Sequence, residues 1–148
     1  MDSKLGFLFY VGVKFVAYAS WCALGLHVLG HQKPRVGKAL GTGLVRLLIG
    51  VFFGVGIFLV GGMMHLDVPL HPWRLYFGIY APVRWIEWSI MAVVLAGSNI
   101  HENFLLGSNN ASRLWRLGGI VVSHLADIPL ILSAGRVTEM LPVGRFLC

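Results

Sequence analysis

The chain has 148 residues, of which 57% are hydrophobic and only 12% are charged. Its mean hydropathy of +0.76 is too high for an ordinary soluble domain of this size. The net charge is +6, but the basic residues are scattered among helix ends and interiors, so we do not expect the protein to bind nucleic acid.

Four apolar stretches lie at roughly residues 5–29, 39–64, 73–96 and 114–133. Each has about 20 residues or more, the length at which a helix crosses a ~30 Å hydrocarbon core. None alternates with period two, as a barrel strand would. We therefore predict an all-α integral membrane protein, with residues 1–148 forming a single transmembrane domain. Its four-helix bundle would have short loops, surrounding lipid and a C-terminal tail at 134–148.

The first helix and the loop after it indicate whether the N-terminal segment is retained and how the chain is oriented in the membrane. Lys14 interrupts the apolar run of the first segment, so we expect a retained helix and not a cleaved signal peptide. The loop at 30–38 is basic, and its end of the bundle would have five positive residues against four at the other end. By the positive-inside rule, this loop is expected on the cytoplasmic or matrix side of a bacterial plasma membrane or an organellar inner membrane. The five are Lys33, Arg35, Lys38, Arg113 and Arg116, and the four are Lys4, Arg74, Arg136 and Arg145.

Glycines mark one face of the second predicted helix. Gly43, Gly50, Gly54 and Gly61 follow one another at spacings of seven, four and seven residues. This pattern predicts a stripe along which another helix backbone approaches closely, since van der Waals contact holds helices together in lipid. We expect a neighbour from the same chain, with a helix of another chain as the alternative. The small residues of the fourth helix offer a partner: Gly118, Gly119, Ser123 and Ala126.

The third predicted helix contains most of the aromatic residues. We expect Trp73, Tyr76, Phe77, Tyr80, Trp85 and Trp88 to act mostly as lipid-facing or interfacial anchors. Pro82 is expected to kink this helix one turn from its start. In the connection that follows, Phe104, Leu105 and Leu106 stand between polar residues, which suggests an interfacial half-turn.

Five ionisable residues fall within the predicted spans, namely Lys14, Arg46, Arg84, Glu87 and Asp127. We expect Arg46 to lie close enough to the basic-loop surface to extend its charge into water. The other four would form a neutral layer about 12 Å deep, in which Arg84 pairs with Glu87 and Lys14 reaches Asp127 or Glu87. His124 lies three residues before Asp127 and joins this buried charge cluster. The cluster would either fix helix register or relay protons.

Metal and cofactor chemistry find little support in the pattern. The two cysteines, Cys22 and Cys148, form no CxxC motif, and no histidine spacing matches a zinc site, so we predict no metal site. A membrane haem b needs two histidines at matched depth on facing helices. His27 and His101 make the best such pair, but their spacing is not diagnostic, and we predict no required cofactor.

The sequence favours a non-catalytic accessory subunit of a larger membrane complex, such as a respiratory or photosynthetic assembly. Its partners would be other membrane-protein subunits and lipids. The alternative is a small homo-oligomeric transporter or proton-linked carrier that uses Lys14, Arg84, Glu87 and Asp127. A membrane-embedded enzyme acting on a lipid or quinone is a third hypothesis. Solvent access to Glu87 separates the first two, because a carrier needs a polar path to this side chain.

Overall fold

A computed structural model describes residues 3–29, 35–63, 78, 80–97 and 103–132. Within these ranges the regular structure is helical, and the prediction of four helices without strands is confirmed. The helices are α1 (Ser3–Val28), α2 (Val36–Met63), α3 (Ala81–Ala96) and α4 (Asn110–Leu132). α2 and α4 begin a few residues earlier than predicted. Residues 73–77 and the tail at 134–148 lie outside the described residues.

The ends of α3 and α4 follow from local residue chemistry. Pro82 occupies the first turn of α3, where its fixed φ suits a helix and its missing N–H costs nothing. Gly78 and Tyr80, just before this turn, have π-helical geometry. Part of the segment before Pro82 lies outside the described residues, so the kink there stays a prediction. Gly97 ends α3 with a φ of 72° and donates its N–H to Val93 O. Asn109 caps α4 by accepting the Ser112 N–H at 2.8 Å.

α1 is the central helix of the bundle and contacts each of the other three. α3 also contacts each of the others, whereas α2 and α4 share no contact among the described residues. α1 and α4 run antiparallel, because Trp21 meets Trp115 and Lys14 meets Asp127. The two tryptophans exchange hydrogen bonds: each indole Nε1–H donates to the backbone carbonyl of the other, at 3.1 and 3.2 Å.

Glycines admit close packing at several places in the bundle, among them Gly25, where an added Cβ would lie 2.7 Å from the Trp115 ring. A Cβ on Gly43 would lie 2.7 Å from the Ala19 Cα, so α1 and α2 touch backbone to backbone there. The neighbour is a helix of the same chain, but it is α1 and not α4 as predicted. Gly118 and Gly119 of α4 instead make room for Trp21 and Trp88.

The rest of the predicted glycine stripe is only partly described. Gly50 and Gly54 are buried in α2. Gly61 lies in the same helix, and its surroundings are outside the described residues. The stripe is therefore buried wherever it can be followed, and Gly43 identifies α1 as the helix packed against its first position.

Two helices are long and apolar enough to cross a membrane, over Leu5–Val28 and Val36–Ile57. α3 has 16 described residues, fewer than the roughly 20 that a span requires. α4 has 23 residues, but its inner face carries charged side chains. The structure thus shows an all-helical protein with two candidate membrane-spanning helices among its described residues.

Candidate functional site

A first cluster of ionisable groups surrounds Asp127 on α4. Lys14 Nζ lies 2.8 Å from Asp127 Oδ1, and the Tyr10 hydroxyl donates to the same oxygen at 2.8 Å. Arg84 Nη2 donates to the other oxygen, Oδ2, at 2.5 Å. We call these four residues the Asp127 cluster. The Lys14 and Arg84 side chains are almost completely buried, whereas 15% of the Asp127 side chain is exposed.

His124 lies one helical turn from Asp127 and is half-buried. It lies close enough to both Arg84 and Asp127 to interact with them electrostatically. The structure therefore brings together Lys14, Arg84, His124 and Asp127 of the predicted charge cluster, and it leaves out Glu87.

Glu87 forms a separate pair with Arg46 of α2. Arg46 Nη2 donates to Glu87 Oε2 at 2.6 Å, and neither side chain has any exposed surface. The Arg46 guanidinium also lies between two aromatic rings, with its Cζ 4.8 Å from the centroids of Tyr18 and Trp88. We call Arg46 and Glu87 the dry pair, because both side chains are completely buried.

Two predictions about these charges are wrong. Glu87 does not pair with Arg84, because three residues of helix point the two side chains toward different neighbours. Arg46 does not extend to the membrane surface but is completely buried. A long cationic side chain can reach water only if it faces outward, and Arg46 lies on the face of α2 that meets α1 and α3.

The dry pair has unused hydrogen-bonding capacity. Arg46 Nε and Nη1, Glu87 Oε1 and the Tyr18 hydroxyl are buried without hydrogen-bond partners in the part of the chain that the structure describes. The two aromatic faces compensate the Arg46 cation in part, because a desolvated cation over a ring is stabilised by the ring quadrupole. In the described part of the chain, no other group would compensate the Glu87 charge if Arg46 were removed, so the two groups depend on each other.

Tyr10 and Tyr18 are residues of this site that the sequence reading missed. Both lie on the stripe of α1 formed by Tyr10, Lys14, Tyr18, Cys22 and Leu26, which are all buried. Consecutive members of this stripe are four residues apart, which places them on one helix face, and this regularity was visible in the sequence. In an apolar helix, polar residues at this spacing indicate the face that is buried in the bundle, because they cannot face lipid.

Trp88 lies at the centre of the interior and not at the lipid surface, which corrects the prediction for this aromatic residue. It is completely buried and makes edge-to-face contacts with Tyr18 and Trp115, at centroid distances of 5.9 and 5.2 Å. Its indole Nε1–H donates to Ser123 Oγ at 3.1 Å. The ring therefore packs between the dry pair and α4.

Arg116, like Arg46, is a buried cation that was predicted at the surface of the bundle. It was counted among the positive residues at the basic-loop surface, yet it is completely buried. Its two Nη atoms donate to Ser89 Oγ and to the carbonyl oxygens of Phe104 and Asn103, at 2.7 to 2.9 Å. Arg116 thus holds the connection before α4 against the bundle. The group of five positive residues that was counted at the basic-loop end therefore loses one member.

Whether the two weak haem candidates approach each other stays untested by the described residues. His27 is exposed near the end of α1, and His101 lies outside the described residues. Within the described ranges no three histidine, cysteine or acidic side chains group closely enough to hold a metal ion. The site is therefore defined by ion pairs and aromatic contacts.

Comparison of the chain with protein-family models, curated proteins and solved structures gives no match, so the function is argued from this site alone.

Proposed function

We propose that the chain is an integral membrane protein whose four helices cross the bilayer. The observation that carries this proposal is the distribution of polarity between the inside and the outside of the bundle. Five charged side chains of the described residues are buried beside a hydrophobic core, whereas large apolar side chains are exposed on the outer faces of all four helices. Soluble proteins show the opposite preference for charged residues. Charged groups that face the interior and pair with one another are typical of membrane bundles.

α4 shows this distribution most clearly. Its exposed large residues are Leu114, Leu117, Val121, Leu125 and Ile128, each at least 42% exposed. Their spacings of three and four residues place them on one face. The charged residues Arg116 and Asp127 point into the bundle, and they lower the average hydropathy of a helix whose outer face is apolar from Leu114 to Ile128. We therefore include α4 among the spans, and α3 with it, since Val93 and Val94 are exposed beyond its buried charges.

Within this membrane bundle we propose the role of a non-catalytic accessory subunit of a larger membrane complex. The complete burial of the dry pair supports a structural role, because a group that transfers protons or binds substrate needs a path to water. Buried ion pairs also specify helix alignment, since a shifted helix leaves a charge unpaired in a medium of low dielectric. The partners would be other membrane-protein subunits, together with lipids.

The test is native mass spectrometry of the protein extracted gently from its own membrane. We expect the chain in a complex with other subunits, and we expect Glu87→Gln to deplete that complex. Val93→Ile, a conservative change on the exposed face of α3, is the matched control and should leave the complex intact. Recovery of the wild-type chain only as a monomer or homo-oligomer would refute the subunit role. An intact Glu87→Gln complex that has lost its activity would point to a catalytic role for Glu87.

A proton-linked carrier is the second candidate, and the Asp127 cluster is the observation that favours it. Asp127 is the partly exposed member of the cluster, and it holds two cations that would be released if its carboxylate gained a proton. A carrier of this kind would acidify the lumen of proteoliposomes in a manner that Asp127→Asn abolishes. Equal dye responses from wild-type and Asp127→Asn proteoliposomes would remove this candidate.

A further inference from the structure

The turn at 103–107, which precedes α4, combines an apolar surface with a backbone whose carbonyl oxygens at 103–106 all accept hydrogen bonds from side chains. Phe104, Leu105 and Leu106 form consecutive turn residues and are 42%, 61% and 65% exposed. Three large apolar side chains at the tip of an aqueous loop would be unfavourable. We call residues 103–107 the apolar turn.

Side-chain donors reach all four backbone carbonyls of residues 103–106. Arg116 donates to the carbonyls of Asn103 and Phe104, at 2.8 and 2.7 Å. Trp85 Nε1–H donates to Leu105 O at 3.0 Å, and Arg113 Nε–H donates to Leu106 O at 2.7 Å. Each of these oxygens would be hydrated without cost in a loop that faced water.

Backbone N–H groups of the apolar turn are met in the same way. The Asn103 side-chain oxygen accepts the N–H groups of Leu105 and Leu106, at 3.1 and 3.0 Å. The Gly107 N–H donates to Asn103 O at 3.0 Å, and its φ of 71° is open to glycine without strain. Local and tertiary hydrogen bonds together thus leave little of this backbone to be hydrated.

Such internal pairing is what a segment needs where water is absent. Non-helical backbone is tolerated in a bilayer only when protein groups satisfy its polar atoms. The donors also suit this depth, since tryptophan and arginine are favoured at the boundary between acyl chains and headgroups. Arg113 is exposed, so its charge is positioned for phosphate while its Nε holds the turn.

We propose that the apolar turn inserts into the membrane as a wedge, with Phe104, Leu105 and Leu106 among the upper acyl chains of a phospholipid bilayer and Arg113 at the phosphates. The turn lies at the same end of the bundle as Arg35 and Lys38, which are exposed and positive and thus complement lipid phosphate. This inference rests on the proposed membrane location of the bundle. It adds a specific lipid contact to the protein's proposed role.

The test uses nitroxide labels on single cysteines in a Cys22→Ala/Cys148→Ser background, reconstituted in phosphatidylcholine vesicles. Labels go on Leu105→Cys, on Val121→Cys as the reference for the bilayer interior, and on Arg35→Cys as the reference for the headgroup level. Collision with oxygen, relative to collision with a water-soluble nickel chelate, reports depth. We expect the ratio at position 105 to exceed that at 35 several-fold and to approach that at 121.

Each other outcome has a definite meaning. An aqueous signal at 105 with a lipid signal at 121 overturns the wedge and leaves the membrane bundle standing. Aqueous signals at both positions overturn the membrane bundle as well. A label at 105 that neither reagent reaches indicates a covering protein, such as a second copy or a partner subunit, and also overturns the wedge.

A second measurement tests whether the apolar turn needs the side chains that donate to its carbonyl oxygens in order to insert into the bilayer. Trp85→Phe removes the donor to Leu105 O and keeps an aromatic ring, and we expect the depth ratio at 105 to fall several-fold. Trp115→Phe is the matched control, because it removes an indole donor whose acceptor is Trp21 O on α1 and not a carbonyl of the turn. An unchanged ratio at 105 in Trp85→Phe would overturn the role assigned to these hydrogen bonds.

Discussion

Replacing Glu87 with Gln removes one charge from the dry pair and leaves the side-chain shape unchanged. In the wild type, Oε2 of Glu87 accepts from Arg46 Nη2 at 2.6 Å, and both side chains are completely buried. Two unit charges about 4 Å apart attract by about 4 kcal/mol at an effective dielectric near 20. The aromatic contacts of Arg46 persist in the variant. We therefore expect the free energy of unfolding to fall by about 3 kcal/mol, at the low end of the values for breaking a buried pair.

A double-mutant cycle measures the interaction itself. Arg46→Met, Glu87→Gln and the double variant are unfolded by titrating sodium dodecyl sulfate into mixed micelles, with tryptophan fluorescence as the signal. We expect Arg46→Met to cost about 3 to 5 kcal/mol, because it leaves a buried carboxylate without its cation. The double variant should lose less than the sum of the two single losses, by at least about 2 kcal/mol.

Two results would refute the reasoning. If Glu87→Gln unfolds within about 0.5 kcal/mol of the wild type, in the range of a neutral surface change, the pair contributes no net stability. If the two single losses are additive, Arg46 and Glu87 do not depend on each other. Val93→Ile serves as the control and should match the wild type.

The same titration checks three further substitutions. Gly43→Ala should destabilise by about 1 to 3 kcal/mol, because the new Cβ would meet the Ala19 backbone, whereas Gly41→Ala enters open space and should be neutral or stabilising by up to about 1 kcal/mol; equal effects would contradict the close approach at Gly43. Asp127→Asn should cost about 3 to 5 kcal/mol, since two buried cations lose their counter-charge, and a loss below about 1 kcal/mol would argue against the cluster. Trp115→Phe should cost about 1 kcal/mol for its single hydrogen bond, and a loss-free variant would show that this bond contributes nothing.

Much of the fold could be predicted from the sequence, because helix length and apolar content are local properties. Four helices were expected, and the described residues form four. The contact between Lys14 and Asp127 could be predicted for the same reason, since each residue lies at a depth set by its distance from a helix end. The buried stripe on α1 was also visible as a spacing of four residues, although Tyr10 and Tyr18 were not recognised as part of it.

Pairings beyond this one could not be predicted, because they depend on which helices adjoin. Arg46 was assigned to the surface on its depth alone, yet the rotation of α2 turns it inward. Arg116 was likewise assigned to a loop face, although Ser112, Gly119 and Ser123 share its buried face of α4. Depth along a helix is readable from residue count, whereas the direction of a side chain around the helix has meaning only relative to a neighbour.

Residue order alone therefore determined the number of helices, their approximate ends and the fact that charges must be held between them. Tertiary structure decided how those charges are divided. Three residues of helix turn through about 300°, so Arg84 and Glu87 diverge by about 60° around α3. That angle directs Arg84 to Asp127 on α4 and Glu87 to Arg46 on α2. A single predicted ion pair on one helix thus becomes two pairs across the bundle, because α3 lies against all the other helices at once.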